Sequence, residues 1–223
     1  MRVALYWAPR IDDPLHRLGS QWLGRDAETG AALAQPSLPG LDLAAITAEA
    51  RGYGLHATLK PPFRLATSWA AMRADAMALA ARTRPFALPG LRLAEHHGFL
   101  ALLESEKSMA LQDFCDACVA GLDAHRAPPT EAEIARRNPA RMTPRQRELL
   151  GIWGYHYVFD EWWFHVTLSR RLTAEERGVV LPALAAHLGD APAQRRRVTE
   201  LCLFTQAGPG APFLLAERLP LLG

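Results

Sequence analysis

Apolar positions recur along this chain at two periods, and the switches between them mark out its elements. The opening Met1-Arg2-Val3-Ala4-Leu5-Tyr6 reads as a first strand. Asp13-Pro14 starts a short helix that gathers Leu15, Leu18 and Trp22 on one side. Gly30 to Gly40, with Pro36 and Pro39, is a loop, and a helix follows from about Asp42 to Arg51. An alanine-rich helical stretch from about Ser68 to Arg82 leads into Phe86 to Leu103, where Leu91, Leu93, Phe99, Ala101 and Leu103 alternate as strands do. Ser105 or Ser108 caps a helix over Met109 to Leu122. Thr130 with Glu133, and Thr143-Pro144, are two further helix starts. Thr173 with Glu176 has capping-box spacing ahead of a helix from about Ala174 to Leu188. Val198 to Leu219 then alternates at Leu201 and Leu203 and again at Phe213 and Leu215, with Gly208-Pro209-Gly210 between them as a turn.

Within this pattern one tetrad occurs twice. His56-Ala57-Thr58-Leu59 and His165-Val166-Thr167-Leu168 both read His-x-Thr-Leu, 109 positions apart. The first lies in the run from Tyr53 to Lys60, ended by Pro61-Pro62, and the second in the run from Trp162 to Ser169. Aromatic and β-branched residues in both runs predict strands. Side chains alternate along a strand, so His56, Thr58 and Lys60 share one face, as do His165, Thr167, Ser169 and Arg171. On a helix each His and Thr would diverge by about 200° and could not meet one group. Two histidines brought to one cleft supply a general base and a general acid, and hydroxyls beside them supply donors for a phosphate.

The halves also match beyond the tetrads, each running strand, helix, hairpin, although few letters are shared. The chain therefore reads as one two-lobed domain over residues 1–223. The first motif half covers about 41–125, the second about 151–223, and an inserted helical segment about 126–150. That segment carries Arg126, Arg136, Arg137, Arg141, Arg145 and Arg147. It is either a solvated helical face or a basic cover that adds phosphate contacts, with Arg141 the first candidate to reach the cleft.

The paired His-x-Thr motifs resemble the 2H phosphoesterase superfamily, which includes cyclic phosphodiesterases and RNA 2′,5′-ligase-like proteins. Gly54 to Phe63, the opening Leu5-Tyr6-Trp7-Ala8-Pro9 and Trp22 to Asp26 are similar to the branch associated with bacterial phosphonate-metabolism operons. The resemblance implies a bilobal α+β fold: duplicated antiparallel sheets related by a pseudo-two-fold, flanking helices, and a cleft between the lobes. It implies His56 and His165 as catalytic residues, with Thr58 and Thr167 as phosphate ligands. Lys60, Ser169 and Arg171 follow on the same strand faces as added donors, and Tyr6 and Arg141 are further candidates. One departure from the branch is His156, where proline is expected.

Composition narrows this reading only a little. The 223 residues suffice for a sizeable core, and no apolar run is long enough to span a bilayer. The start lacks the apolar core of a signal peptide, which predicts a cytoplasmic protein. A formal net charge of +2 gives no general nucleic-acid footprint, so a small anionic substrate is favoured over polymeric RNA. Cys115-x-x-Cys118 falls on the helical spacing of Leu111, Phe114 and Leu122, which makes these buried core cysteines; Cys202 leaves an odd count without a disulfide framework. His96-His97 lies at a hairpin turn, and His16, His125 and His187 have no partner pattern. No ligand set at zinc spacing accompanies the motif histidines, so no metal and no other cofactor is expected. The predicted activity is hydrolysis of a small cyclic phosphodiester, a cyclic sugar phosphate or a 2′,3′-cyclic nucleotide. The alternatives are a nucleotide- or phosphate-binding module without turnover, and RNA end processing.

Overall fold

The computed structural model describes residues 1–223. In chain order, strand β1 (Arg2–Trp7) precedes helices α1 (Pro14–Leu23) and α2 (Leu43–Tyr53), then strand β2 (Ala57–Arg64), helix α3 (Trp69–Arg82) and strands β3 (Phe86–Leu88), β4 (Leu91–His96) and β5 (Phe99–Glu104). Helices α4 (Met109–Gly121), α5 (Glu131–Arg136) and α6 (Pro144–Trp153) lead to strand β6 (His165–Arg171) and helix α7 (Ala174–Leu188). Strands β7 (Arg196–Val198), β8 (Glu200–Gln206) and β9 (Leu214–Pro220) complete the chain. Each helix begins on an Asp, Ser or Thr whose side chain accepts a first-turn backbone N–H: Asp13, Asp42, Ser68, Ser108, Thr130, Thr143 and Thr173. The last three close full capping boxes. Each such cap is worth about 1 kcal/mol, so the helix starts are encoded locally.

The fold is α+β and antiparallel. Seven strands form one sheet in the order β4-β5-β6-β2-β1-β8-β9, and β3 pairs with β7 as a separate ribbon. The repeat holds element for element: β2-α3-β3-β4-β5 matches β6-α7-β7-β8-β9. The two central strands meet at a single residue pair, Ala57 with Val166. These positions are separated by the same 109 residues as the motif histidines, so the pseudo-two-fold axis passes through this pair.

The halves in sequence are not the lobes in space. The β4–β5 hairpin follows β2 along the chain but lies against β6. The β8–β9 hairpin follows β6 but joins β2's side of the sheet through β1. Beside β2, β1 takes the place that β5 takes beside β6. Helix α2 packs on β6 and α4 on β2. Strand β1 is buried on both faces: Val3, Leu5 and Trp7 enter the main core, and Ala4, Tyr6 and Ala8 enter a smaller cluster with Cys202, Phe204 and Phe213.

The first motif strand differs from the sequence reading. It starts at Ala57 rather than Tyr53, because α2 runs through Tyr53, and it continues through Pro61-Pro62 to Arg64. Strand β2 pairs there with β1 alone, since β6 has already diverged, so the edge facing β6 does not need those amides. Gly54 makes the sharp exit from α2 at φ +82, where a Cβ would stand 2.3 Å from Ala27 Cβ. Gly54→Ala is therefore expected to cost about 2–3 kcal/mol, seen as a lower urea midpoint with an unchanged slope; an unchanged midpoint would show that Ala27 can move aside.

Candidate active site

The register around Ala57 and Val166 sets the site. In an antiparallel pair, the neighbours of two opposed residues also oppose each other. His56 therefore lies across from Thr167, and Thr58 across from His165. Ala57 and Val166 point into the core, at 1% and 0% exposure, so the four motif side chains share the other face. All four line one cavity of about 270 Å³, together with Tyr6, Tyr53, Tyr155, Arg2, Arg137 and Glu49. Beyond the single pair, the divergence of β2 from β6 opens this cleft. Trp162 Nε1 donates to Thr58 O at 2.9 Å and ties the two motif segments together.

Both imidazoles are held in the same way. His56 Nδ1 is 2.9 Å from Gly54 O, and His165 Nδ1 is 3.1 Å from Trp163 O. A carbonyl only accepts, so each Nδ1 carries a proton and donates it, and each Nε2 presents a lone pair when the ring is neutral. His56 Nε2 stands 3.4 Å from Thr58 Oγ1. The rings are backed by different groups. His165 stacks on its own neighbour Trp163 at 3.8 Å, whereas His56 stacks on Tyr6 of β1 at 3.9 Å. Gly54 stands where the second motif has Trp163, and its lack of a side chain leaves that role to Tyr6.

Burial of the rings in the cleft wall lowers both histidines to about 4. The bonds to Gly54 and Trp163 pull upward but do not win. Charge on His165 lowers His56 further, so the pair resists taking two protons. Tyr6 is fully buried with no partner for its hydroxyl, and burial raises its pKa.

Three residues placed on the motif faces by strand alternation do not offer free donors to the cleft. Lys60 points away from it: its Nζ donates to Val119 O at 2.8 Å and Asp123 Oδ1 at 3.0 Å, under α4. The cause is a β-bulge. Tyr6 pairs with Thr58 but Leu5 with Lys60, so β2 holds an extra residue and the alternation inverts. Ser169 lines the cavity, yet its hydroxyl accepts from Leu100 N and donates to Arg170 O, leaving no proton for a phosphate. Arg171 is exposed at the far end of β6 beside Gly98, beyond a second register shift between Phe99 and Ala101. From the insertion it is Arg137 that reaches the cavity, its guanidinium 4.5 Å from the Tyr155 ring centre, while Arg141 lies in a separate exposed turn. Arg2 was legible: it shares a strand face with Tyr6. Cys115 and Cys118 are buried and free, and His97 at φ +49 with Gly98 at φ +88 makes the hairpin turn. No three His, Cys, Asp or Glu side chains converge as a metal site would require.

Paired His-x-Thr strands on one face of a pseudo-symmetric α+β sheet are the arrangement that the resemblance to 2H phosphoesterases implies. Residues 58–214 match the family described as protein of unknown function DUF1045, and the chain belongs to that family. Two curated relatives are each named ribose 1,5-bisphosphate phosphokinase PhnN. The one from Janthinobacterium sp. (strain Marseille) is 35% identical over 231 residues, and the one from Laribacter hongkongensis is 37% identical over 227. Both alignments cover 100% of this chain but 51% and 52% of the relatives, so the chain spans about half their length. Among solved structures, TT0787 of Thermus thermophilus aligns with a TM-score of 0.49 and E. coli LigT complexed with 3′-AMP with 0.45. Each is 14% identical, and the alignments cover 100% of this chain and 99% and 98% of theirs. No helix is long and apolar enough to cross a membrane.

Two measurements check this geometry. In an NMR titration of the free protein, His56 and His165 are expected to titrate near pH 4 rather than 6.5. The unfolded chain binds these protons first, so stability falls as pH drops below about 6.5 and the loss is complete once pH passes below about 4. Midpoints near 6.5 would contradict the burial argument. Separately, Asp123→Ala leaves the buried Lys60 ammonium without its carboxylate and is expected to cost about 3 kcal/mol, much of it recovered on adding Lys60→Met; equal stability of the single variant and the native protein would refute the pairing.

Proposed function

We propose that the protein is a metal-independent phosphodiesterase that opens a small cyclic phosphodiester by two-histidine acid–base catalysis. The observation that carries this reading is the crossed arrangement of His56 with Thr167 and Thr58 with His165 around one strand pair, each Nδ1 held by a backbone carbonyl and all four side chains lining one cleft. One neutral Nε2 takes a proton from water as its oxygen attacks phosphorus. The other histidine, protonated, gives its proton to the ring oxygen as the P–O bond breaks. The product is a phosphate monoester with a free hydroxyl. Thr58 and Thr167 donate to the non-bridging oxygens as charge builds there. In the free cleft both rings are neutral at pH 7; the bound phosphodiester anion supplies the field that raises one of them to its acid form.

The relatives' name supports a sugar phosphate as the substrate class. It joins a ribose carrying two phosphates to a chain of which this protein matches about half. This chain has no Gly-x-x-x-x-Gly-Lys-Ser/Thr run to cradle a nucleotide's phosphates, so it reads as a companion activity rather than as the kinase. Opening a ribose 1,2-cyclic phosphate would fit that partnership, within the phosphonate metabolism that the family resemblance implies.

The test is turnover of ribose 1,2-cyclic phosphate and 2′,3′-cyclic nucleotides with chelator present. His56→Ala and His165→Ala are each expected to lose about 10²–10⁴-fold in kcat. Activity abolished by chelator and restored by zinc would sink the metal-free mechanism. Binding without turnover on every compound would favour the non-catalytic module.

A further inference from the structure

The histidine cleft does not end at its own rim. A second cavity of about 220 Å³ adjoins it, and the two share Arg2, Tyr53, Pro62 and Arg137 as a common wall. This annex is strongly one-signed. It is lined by Arg2, Arg64, Arg126, Arg136 and Arg137, against one carboxylate, Glu133.

The five arginines are not equivalent. Arg64 is neutralised by Glu133 and also donates to Pro128 O at 2.7 Å. Arg126 is held by both oxygens of Asp123. Arg136 and Arg137 make no ion pair, and Arg2 donates only to the neutral amide of Gln206 at 2.7 Å. Elsewhere, Arg196 is paired with Asp13 and Arg218 with Glu28 and Glu200, whereas the buried Arg25 gives its guanidinium to the backbone carbonyls of Arg51, Gly52 and Phe213. Three unpaired guanidinium groups thus stand around one small cavity. Besides Asp123, which is taken up by Arg126, the carboxylate of Glu49 lines the histidine cleft and not the annex.

The arrangement is built rather than accidental. Glu133 closes the capping box of α5 and at the same time takes Arg64 of β2, so it pins the insertion onto the strand that carries the first motif. That anchor sets Arg136 and Arg137, at the helix end, over Pro62. Tyr155 supports Arg137 from below as a cation–π partner at 4.5 Å.

We propose that the annex seats a second phosphate, so that the substrate is a small cyclic phosphodiester bearing a phosphate monoester at its far end. This rests on the phosphodiesterase reading above. Near neutral pH a phosphate monoester carries about two negative charges and three acceptor oxygens, which three guanidinium groups match in charge and in forked geometry. The cyclic diester sits between the histidines, and the monoester lies across the Arg2–Arg137 boundary.

The experiment compares ribose 1,2-cyclic phosphate with the same compound phosphorylated on its 5-hydroxyl. Turnover is followed on the native protein, and calorimetric binding on His165→Ala. The doubly phosphorylated compound is expected to be preferred by at least about tenfold in kcat/KM and in affinity, each charge-assisted contact being worth about that factor. The double variant Arg136→Ala/Arg137→Ala is expected to bring the ratio towards one, and Arg136→Lys/Arg137→Lys to restore part of it. Equal handling of the two compounds by the native protein, or a preference that survives the double variant, overturns the proposal. Preferential binding with no turnover of either compound keeps the annex and removes the phosphodiesterase reading instead, so the two failures are distinct.

Discussion

One backbone contact organises this protein. Ala57 and Val166 pair where the two halves of the chain meet, and β2 and β6 share no other pair. Two small or branched apolar side chains go inward at that point, and their neighbours must go outward. Thr58, His165 and Thr167 are thus placed by the pleat of two strands and His56 by the residue that leads into β2, and the histidine rings are oriented by carbonyls two residues upstream. A site built on regular elements has little freedom to drift, which acid–base chemistry requires of groups that must meet a proton in line. The divergence of the strands beyond that pair is equally necessary, because a fully zipped sheet would leave no room for a ligand.

The pseudo-symmetry is broken where it affects chemistry. His165 leans on Trp163 two residues upstream of it, with His96 packed at 4.0 Å on the same indole. His56 leans on Tyr6 from a different strand, a residue with a buried and unpartnered hydroxyl. Unequal backing makes the surroundings of the two rings distinct, although burial lowers both to about 4.

Much of this was legible in the sequence, and the reasons for the rest are physical. Helix starts are readable because caps are local: Thr130 and Thr173 each announce themselves by a Glu three residues on, and Thr143 by the proline that follows it. The tetrads were readable because duplication repeats a signal. Lys60 and Arg171 lie beyond register shifts that no short-range pattern reveals, while Ser169 reaches the cavity as alternation predicts but commits its hydroxyl to Leu100 N and Arg170 O, a long-range contact and a local one. The insertion was recognised as basic, but which arginine faces inward depends on the docking of α5 through Arg64 and Glu133, a contact across 69 positions. Tyr53 belongs to a helix end rather than a strand because α2 persists until Gly54 breaks it at positive φ.

The exchange of hairpins between the halves bears on how such a chain comes into being. Each motif strand borrows its companion hairpin from the other half, so neither half holds a complete sheet side of its own. A nascent chain that has emerged only as far as β5 has no β6 for that hairpin to rest on, and β1 has no β8. Strand pairings of this kind close long loops before they return any stabilisation, which makes folding slow and postpones it until the last strands are present.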